Sequence, residues 1–203
     1  MSKTYCGLSP DIIIHEAARL FFQKGYKNTS LEEVANILQV TRPAIYHYFK
    51  SKEKIMVAIQ KEVSNKVMTY SGEVLALNLP ADQKFERMVY YHALLILENR
   101  IEMGIVFEEL KNLPSHLAEE VLTVIDQYYK NMNILYQASV NSGHFIDVDP
   151  SIAVQVTLGA CNWAYKWFSP DGTFTKEQVA ELISQMLVQG YRQYPHSAEI
   201  NPI

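Results

Sequence analysis

The side chains best suited to contact a polyanion lie close together near the N-terminus of the sequence. Arg42 and His47 fall within one short segment that also contains Tyr46, Tyr48 and Lys52. An arginine can bind the edge of a guanine through two hydrogen bonds, whereas hydroxyl and ammonium groups bind phosphate oxygens. This combination of side chains is suited to contact both the bases and the backbone of DNA.

The segment supports two kinds of predicted contact. Arg42 would read a guanine and Ala44 an apolar feature such as a thymine methyl, while nearby helix N-termini would help polar side chains to bind phosphates. Tyr46 and Tyr48 could instead pack a small core, and the lysines could form a solvated face. The complete predicted DNA-binding set is Thr29, Ser30, Thr41, Arg42, Pro43, Ala44, Tyr46, His47, Tyr48 and Lys52.

Short helices must position these residues. Thr29 and Ser30 are each followed three residues later by a glutamate, a capping-box arrangement that starts a helix. Thr41 is suited to cap the next helix, and Pro43 falls in its first turn, so residues 42–49 are predicted to be helical. Two short helices separated by a turn of this length form a helix-turn-helix.

Charge is distributed unevenly along the 203 residues. Residues 1–66 contain ten Lys and Arg against six Asp and Glu, whereas residues 67–203 contain eight against sixteen, and the net charge is −4. A basic end on an acidic body suits a protein that meets phosphate with one end only. We therefore expect a DNA-binding domain over residues 1–54 and a ligand-binding and dimerisation domain over residues 55–203.

Helical periodicity continues through the rest of the chain without a convincing strand pattern, so the predicted fold class is all-α. The apolar runs are short and no signal peptide is evident, which predicts a cytoplasmic protein without a membrane span. With only Cys6 and Cys161, a disulfide framework and a four-cysteine zinc site are excluded. No metal or other cofactor is expected. Common catalytic motifs are also missing, so a helical enzyme is a remote alternative.

The segment from Thr29 to Ala35, together with the string from Val40 to Lys54, resembles the DNA-binding domain of the TetR family of repressors. The resemblance implies a transcriptional regulator that binds operator DNA as a homodimer and responds to a small molecule. Gln39 departs from the glycine that many relatives have in the turn. A left-handed backbone there would cost a residue with a side chain about 1 kcal/mol, so a slightly altered turn is expected.

Two C-terminal segments have apolar residues on more than one face. Ile152, Val156 and Trp163 lie on one side of the first segment, while Val154 and Leu158 lie on another. A helix of this kind must be covered on both sides. Members of the resembled family dimerise through their last two helices, so residues 151–168 and 175–194 are the predicted dimer interface; burial in a larger monomer core is the alternative.

A ligand cavity is predicted among apolar and aromatic residues of the helical body, although such stripes are also typical of plain core. The candidate ligand-binding residues are Met103, Phe107, Leu110, Tyr128, Met132, Leu135, Tyr136, Cys161, Asn162 and Tyr165.

The effector class is suggested by a resemblance. The string Asn162-Trp163-Ala164-Tyr165-Lys166-Trp167 is similar to a signature of TetR-type regulators that control fatty-acid, sterol and aromatic-acid degradation, many of which respond to acyl-CoA thioesters. The alternative is a multidrug-type sensor that binds aromatic cations. Its acidic candidates are Glu98, Glu102, Glu108 and Glu109.

Overall fold

The computed structural model describes residues 7–109 and 115–192, without the side chains of residues 115–118, 120 and 121. The described residues form helices and no extended strand, which confirms the predicted all-α fold class. In chain order the helices are α1 (Pro10–Lys24), α2 (Leu31–Ile37), α3 (Arg42–Tyr48), α4 (Lys52–Ala76), α5 (Ala81–Glu98), α6 (Arg100–Glu109), α7 (Ser115–Asn141), α8 (Pro150–Asn162), α9 (Ala164–Trp167) and α10 (Lys176–Tyr191).

The chain divides into two compact units, and the first comprises Met1–Lys66 and Asn99–Ile125. Its core joins α1, α2, α3 and the start of α4 around Phe21, Ile45 and Ile59, all of which are buried. Ile105 of α6 belongs to the same core. Burial of these apolar side chains holds the short helices together, because helices of this length are marginal on their own.

Local sequence signals set the ends of the first helices. The Ser30 hydroxyl accepts a hydrogen bond from the backbone N–H of Glu33, and the Glu33 side chain accepts one from the backbone of Ser30, so the predicted capping box is confirmed. Thr41 occupies the N-cap position of α3 but makes no side-chain cap bond. Gln39 has φ 54°, so the turn keeps the left-handed conformation despite its cost of about 1 kcal/mol.

The second unit comprises Val67–Glu98 and Asp126–Ile203. In it α5 packs against α8, α9 and α10. Phe85 of α5 lies edge-on to Tyr136 and Phe145 at ring-centroid distances of 5.6 and 5.5 Å, and Tyr191 is 5.3 Å from Tyr136. Such aromatic pairs add to the stabilisation from burial.

The segment over residues 151–168, predicted as one continuous helix, is divided into α8 and α9. The interruption is confined to Trp163, whose φ and ψ of −66° and −17° remain helical. One face of α8, including Val154, Leu158 and Cys161, is buried within the second unit. The opposite face, including Ile152 and Val156, is exposed in the single chain.

The compact units do not follow the predicted domain boundary between residues 54 and 55, because Ile101 and Ile105 of α6 pack onto the core of the first unit. Packing does not define function, so the limits of the DNA-binding domain stay a prediction. None of the helices over the described residues is long and apolar enough to cross a membrane.

Candidate nucleic-acid interface and effector site

The surface of α3 presents several of the predicted DNA-contacting residues together. Arg42, Pro43 and His47 are exposed on α3, and Thr41 precedes them at the N-cap. Ser30 is also exposed, at the start of α2. The exposed N-terminal part of a helix like α3 is the part that a recognition helix inserts into the major groove.

Two of the predicted DNA contacts have side chains that are buried in this conformation. Thr29 is only 3% exposed, and its hydroxyl donates a hydrogen bond of 3.1 Å to the backbone carbonyl of Gly25 at the end of α1. Ala44 is 4% exposed, because it lies on the face of α3 that packs into the first unit. Thr29 therefore links the end of α1 to the start of α2, and Ala44 packs in the core of the first unit. Neither side chain is exposed to a DNA partner in this conformation.

Arg42 is held by two neighbours. Its Nη1 donates to Oε1 of Glu32 over 3.1 Å, and its Nη2 donates to the Tyr46 hydroxyl over 3.3 Å. The guanidinium also lies over the Tyr46 ring, 5.1 Å from its centre. The Tyr46 hydroxyl and then the Glu32 carboxylate raise the pKa of Arg42, so the side chain stays a cation.

The remaining predicted phosphate contacts already have intramolecular partners. The Lys52 ammonium donates to the Tyr26 carbonyl over 2.7 Å and lies 4.5 Å from the centre of the Tyr26 ring. The Tyr48 hydroxyl donates to the Leu8 carbonyl over 3.1 Å. These contacts give Lys52 and Tyr48 structural roles in the first unit; their contacts with phosphate stay predictions.

A buried polar cluster lies in the second unit, where α4, α5, α7 and α8 each contribute a residue. Nε2 of His92 lies 2.8 Å from Oδ1 of Asn162, and Nδ1 lies 3.2 Å from the Tyr70 hydroxyl. The His92 ring stacks on Tyr128 with ring centres 5.4 Å apart. Because the Asn162 oxygen can only accept, Nε2 is the protonated nitrogen and Nδ1 accepts from Tyr70.

The cluster has one incompletely satisfied hydroxyl. Tyr128 is 3% exposed, and its hydroxyl lies beside Tyr70 without a well-aligned hydrogen bond. Burial raises the pKa of Tyr128 well above its usual value and that of the neighbouring Cys161 to about 12. The groups around His92 are therefore neutral, and the Tyr128 hydroxyl is a buried donor that could serve a ligand acceptor.

Only part of the predicted ligand-binding set gathers in this region. Tyr128, Cys161 and Asn162 belong to the cluster or adjoin it. Tyr136 belongs instead to the aromatic core around Phe85. Met132, Leu135 and Tyr165 are buried in the second unit, Met103 and the exposed Phe107 belong to α6 in the first unit, and Leu110 lies outside the described residues.

Sequence reasoning missed Tyr70 and His92 as members of this site. The signal for His92 was its place in an apolar stripe of α5, where a buried polar side chain must find partners. In the structure His92 is a core histidine with both ring nitrogens in hydrogen bonds. Nothing in the sequence pairs it with Tyr70 or Asn162, which lie 22 and 70 residues away.

His92 makes the stability of the protein depend on pH. Burial lowers the pKa of His92 from 6.5 to about 4, so the unfolded chain binds a proton at this residue more readily than the native state does. The resulting stability is present above pH 6.5 and is lost as the pH falls toward 4. Acidification from about pH 7.5 to about pH 5 should reduce the free energy of unfolding by about 2 kcal/mol through this residue.

Urea unfolding of the unmodified protein and of His92→Gln at the two pH values tests this prediction. The glutamine keeps hydrogen-bonding capacity but cannot take up the proton, so its unfolding free energy should change less with pH by about 2 kcal/mol. Equal losses in the two proteins would show that His92 is not the group responsible.

Matches to known proteins agree with the helix-turn-helix and the helical second unit. Residues 13–59 match the family described as bacterial regulatory proteins, tetR family, and residues 78–191 match the tetracyclin repressor-like C-terminal domain. The chain therefore belongs to the TetR family. It is a transcriptional regulator with a helix-turn-helix domain and not an enzyme, as the sequence predicted.

Individual relatives span nearly the whole chain. A TetR/AcrR-family transcriptional regulator from Thermobifida fusca is 32% identical, covers 91% of this chain and 98% of its own, and has a TM-score of 0.69. The transcriptional repressor KstR2 of Rhodococcus jostii is 24% identical, with 89% of each chain covered. AibR, in a structure with isovaleryl coenzyme A and operator DNA, is 25% identical with a TM-score of 0.78, covering 88% of this chain and 97% of its own.

Proposed function

We propose that this protein represses transcription by inserting α3 into the major groove of an operator, and that a small apolar effector releases it. The observation behind the DNA-binding part is the exposed surface of α3, where Arg42 and His47 stand on a helix fixed from below by Ala44 and Ile45. Rigid support of this kind lets a recognition helix present its side chains to base edges.

The proposed regulator works as a homodimer. Ile152, Val156 and Trp163 of α8 are 59%, 57% and 62% exposed, and Leu182 and Met186 of α10 are 46% and 76% exposed. Clusters of exposed large apolar side chains of this kind are typical of protein interfaces. A second copy of the chain, presenting the same two helices across a two-fold axis, would cover them.

An acyl-CoA thioester is the proposed effector. AibR, a relative of similar length, was solved with isovaleryl coenzyme A, and the string from Asn162 to Trp167 resembles acyl-CoA-responsive regulators. The chemistry around His92 is compatible with this class, since the Tyr128 hydroxyl can donate to a neutral carbonyl such as that of a thioester. A free carboxylate would be costly there, because the described groups of the cluster are neutral.

The multidrug alternative gains less support. Glu98 is exposed and accepts a hydrogen bond of 2.6 Å from Lys176, so its charge already has a partner. Oε1 of Glu102 lies 3.9 Å from Nδ1 of His15. Both residues belong to the first unit, whereas the cluster around His92 belongs to the second. An aromatic cation would need an unpaired buried carboxylate or an open aromatic face.

A titration of the protein–DNA complex tests the proposal. The DNA is a duplex enriched by the protein from a randomised pool, and the additions are isovaleryl-CoA, a long-chain acyl-CoA, coenzyme A alone, the free acids and a cationic dye. Release by an acyl-CoA but not by coenzyme A or the free acid is expected. Release by the dye alone would support the multidrug alternative, and failure to enrich any duplex would overturn the DNA-binding part.

A further inference from the structure

Glu32 is an acidic residue on a surface that is proposed to approach a polyanion. It lies in the first turn of α2, and its side chain is 62% exposed. A carboxylate at such a place repels phosphate and weakens DNA binding even when it has another task. The adjacent Glu33 has such a task, since it completes the capping box with Ser30. Glu32 has no part in that cap.

The contact of Glu32 that the structure shows is with Arg42. The carboxylate accepts from Nη1 of Arg42 over 3.1 Å, across ten residues of sequence that include the whole turn between α2 and α3. On the other side, the Tyr46 hydroxyl accepts a hydrogen bond from Nη2, and the guanidinium carbon lies over the Tyr46 ring. The two neighbours thus hold a long side chain that would otherwise sample many rotamers.

This arrangement leaves Arg42 able to bind a base. Nη1 and Nη2 each have a second N–H, and Nε–H is also available, so a bidentate contact with guanine does not require the Glu32 bond to break. An arginine that is already oriented loses less conformational entropy when it binds, which increases its contribution to base discrimination.

We infer that Glu32 is a positioning residue for base recognition: it clamps Arg42 in the orientation that reads guanine, and so increases sequence specificity while it weakens binding to DNA in general. The inference rests on the proposed DNA-binding function of α3. It assigns to Glu32 a role that acts through Arg42 rather than through the DNA itself.

The two effects of Glu32 can be separated in measurements. Removal of its negative charge should strengthen binding to selected and to random duplexes alike, so this electrostatic effect cancels in the ratio of the two affinities. Loss of the clamp should lower only the affinity for the selected duplex. An exposed ion pair has a modest effect, so the ratio should fall about two- to fivefold.

The test compares preferences selected from a randomised duplex pool by the unmodified dimer and by its variants. Glu32→Ala should reduce the preference at the guanine position about two- to fivefold, with Glu32→Gln between it and the unmodified protein. Glu62→Gln is the matched control, because Glu62 is an exposed carboxylate of the same unit and forms an ion pair with Lys66. The control should leave the preference unchanged.

A double-variant measurement shows whether Glu32 acts through Arg42. In an Arg42→Ala background, Glu32→Ala should no longer change the preference, because the side chain to be positioned is missing. An unchanged guanine preference in Glu32→Ala, or an equal effect of Glu32→Ala with and without Arg42, would overturn the inference. If the unmodified protein selects no sequence, the proposed function itself fails, which is a different result.

Discussion

Replacement of Met186 by glutamate is expected to convert the dimer to a monomer and to reduce operator affinity at least about 100-fold. Met186 is 76% exposed in the single chain, so the substitution leaves the protomer core intact. In the proposed dimer the new carboxylate would be buried without a partner, which is strongly unfavourable. The affinity falls because a monomer loses the effective concentration that couples two half-sites.

Sedimentation velocity and DNA binding measured on the same samples check this prediction. Gln185→Glu is the control, since it adds the same charge at the neighbouring exposed position, about 100° around the helix from Met186. The control should remain dimeric. A Met186→Glu protein that remained a dimer with full operator affinity would place the dimer contact on another surface.

The parts of the fold that follow local rules could be predicted from the sequence. Ser30 and Glu33 are three residues apart, and their capping box depends only on that spacing and on side-chain chemistry. Such features are determined by neighbours along the chain, and tertiary packing leaves them unchanged.

Burial of polar residues depended on tertiary packing and was harder to predict. Thr29 has a side chain suited to bind phosphate, but its hydroxyl donates a hydrogen bond to the Gly25 carbonyl at the end of α1. On α8 the sequence shows two apolar faces, and only the packing of α5 and α8 reveals that Val154 is buried whereas Ile152 is exposed. Residue type alone does not distinguish these outcomes.

The candidate effector site illustrates the same limit over a longer distance. Tyr70, His92, Tyr128 and Asn162 come from four helices, and each alone has an ordinary structural interpretation. Their hydrogen bonds and ring contacts become visible only when the second unit is assembled. The sequence indicated Tyr128 and Asn162 through an apolar stripe and a resemblance, and gave no pairing between them.

Base discrimination should be largely lost when Arg42 is replaced by alanine. A bidentate arginine–guanine contact contributes about 1–3 kcal/mol of preference, and the proposed dimer makes this contact in each half-site. The variant should therefore bind the selected duplex much more weakly while its affinity for random DNA changes little beyond the loss of one charge per subunit. Selection from a randomised pool should show the guanine position becoming degenerate.

Lys52→Ala provides the contrasting result. As a phosphate contact, Lys52 should support all duplexes nearly equally, so its loss should leave the selected sequence unchanged and reduce the slope of log affinity against log salt by about one for each subunit of the dimer. Because the Lys52 ammonium also binds the Tyr26 carbonyl, thermal unfolding must first show that the variant is folded at the assay temperature. If Arg42→Ala behaved like Lys52→Ala and kept the same sequence preference, Arg42 would be a backbone contact and α3 would read the operator through other side chains.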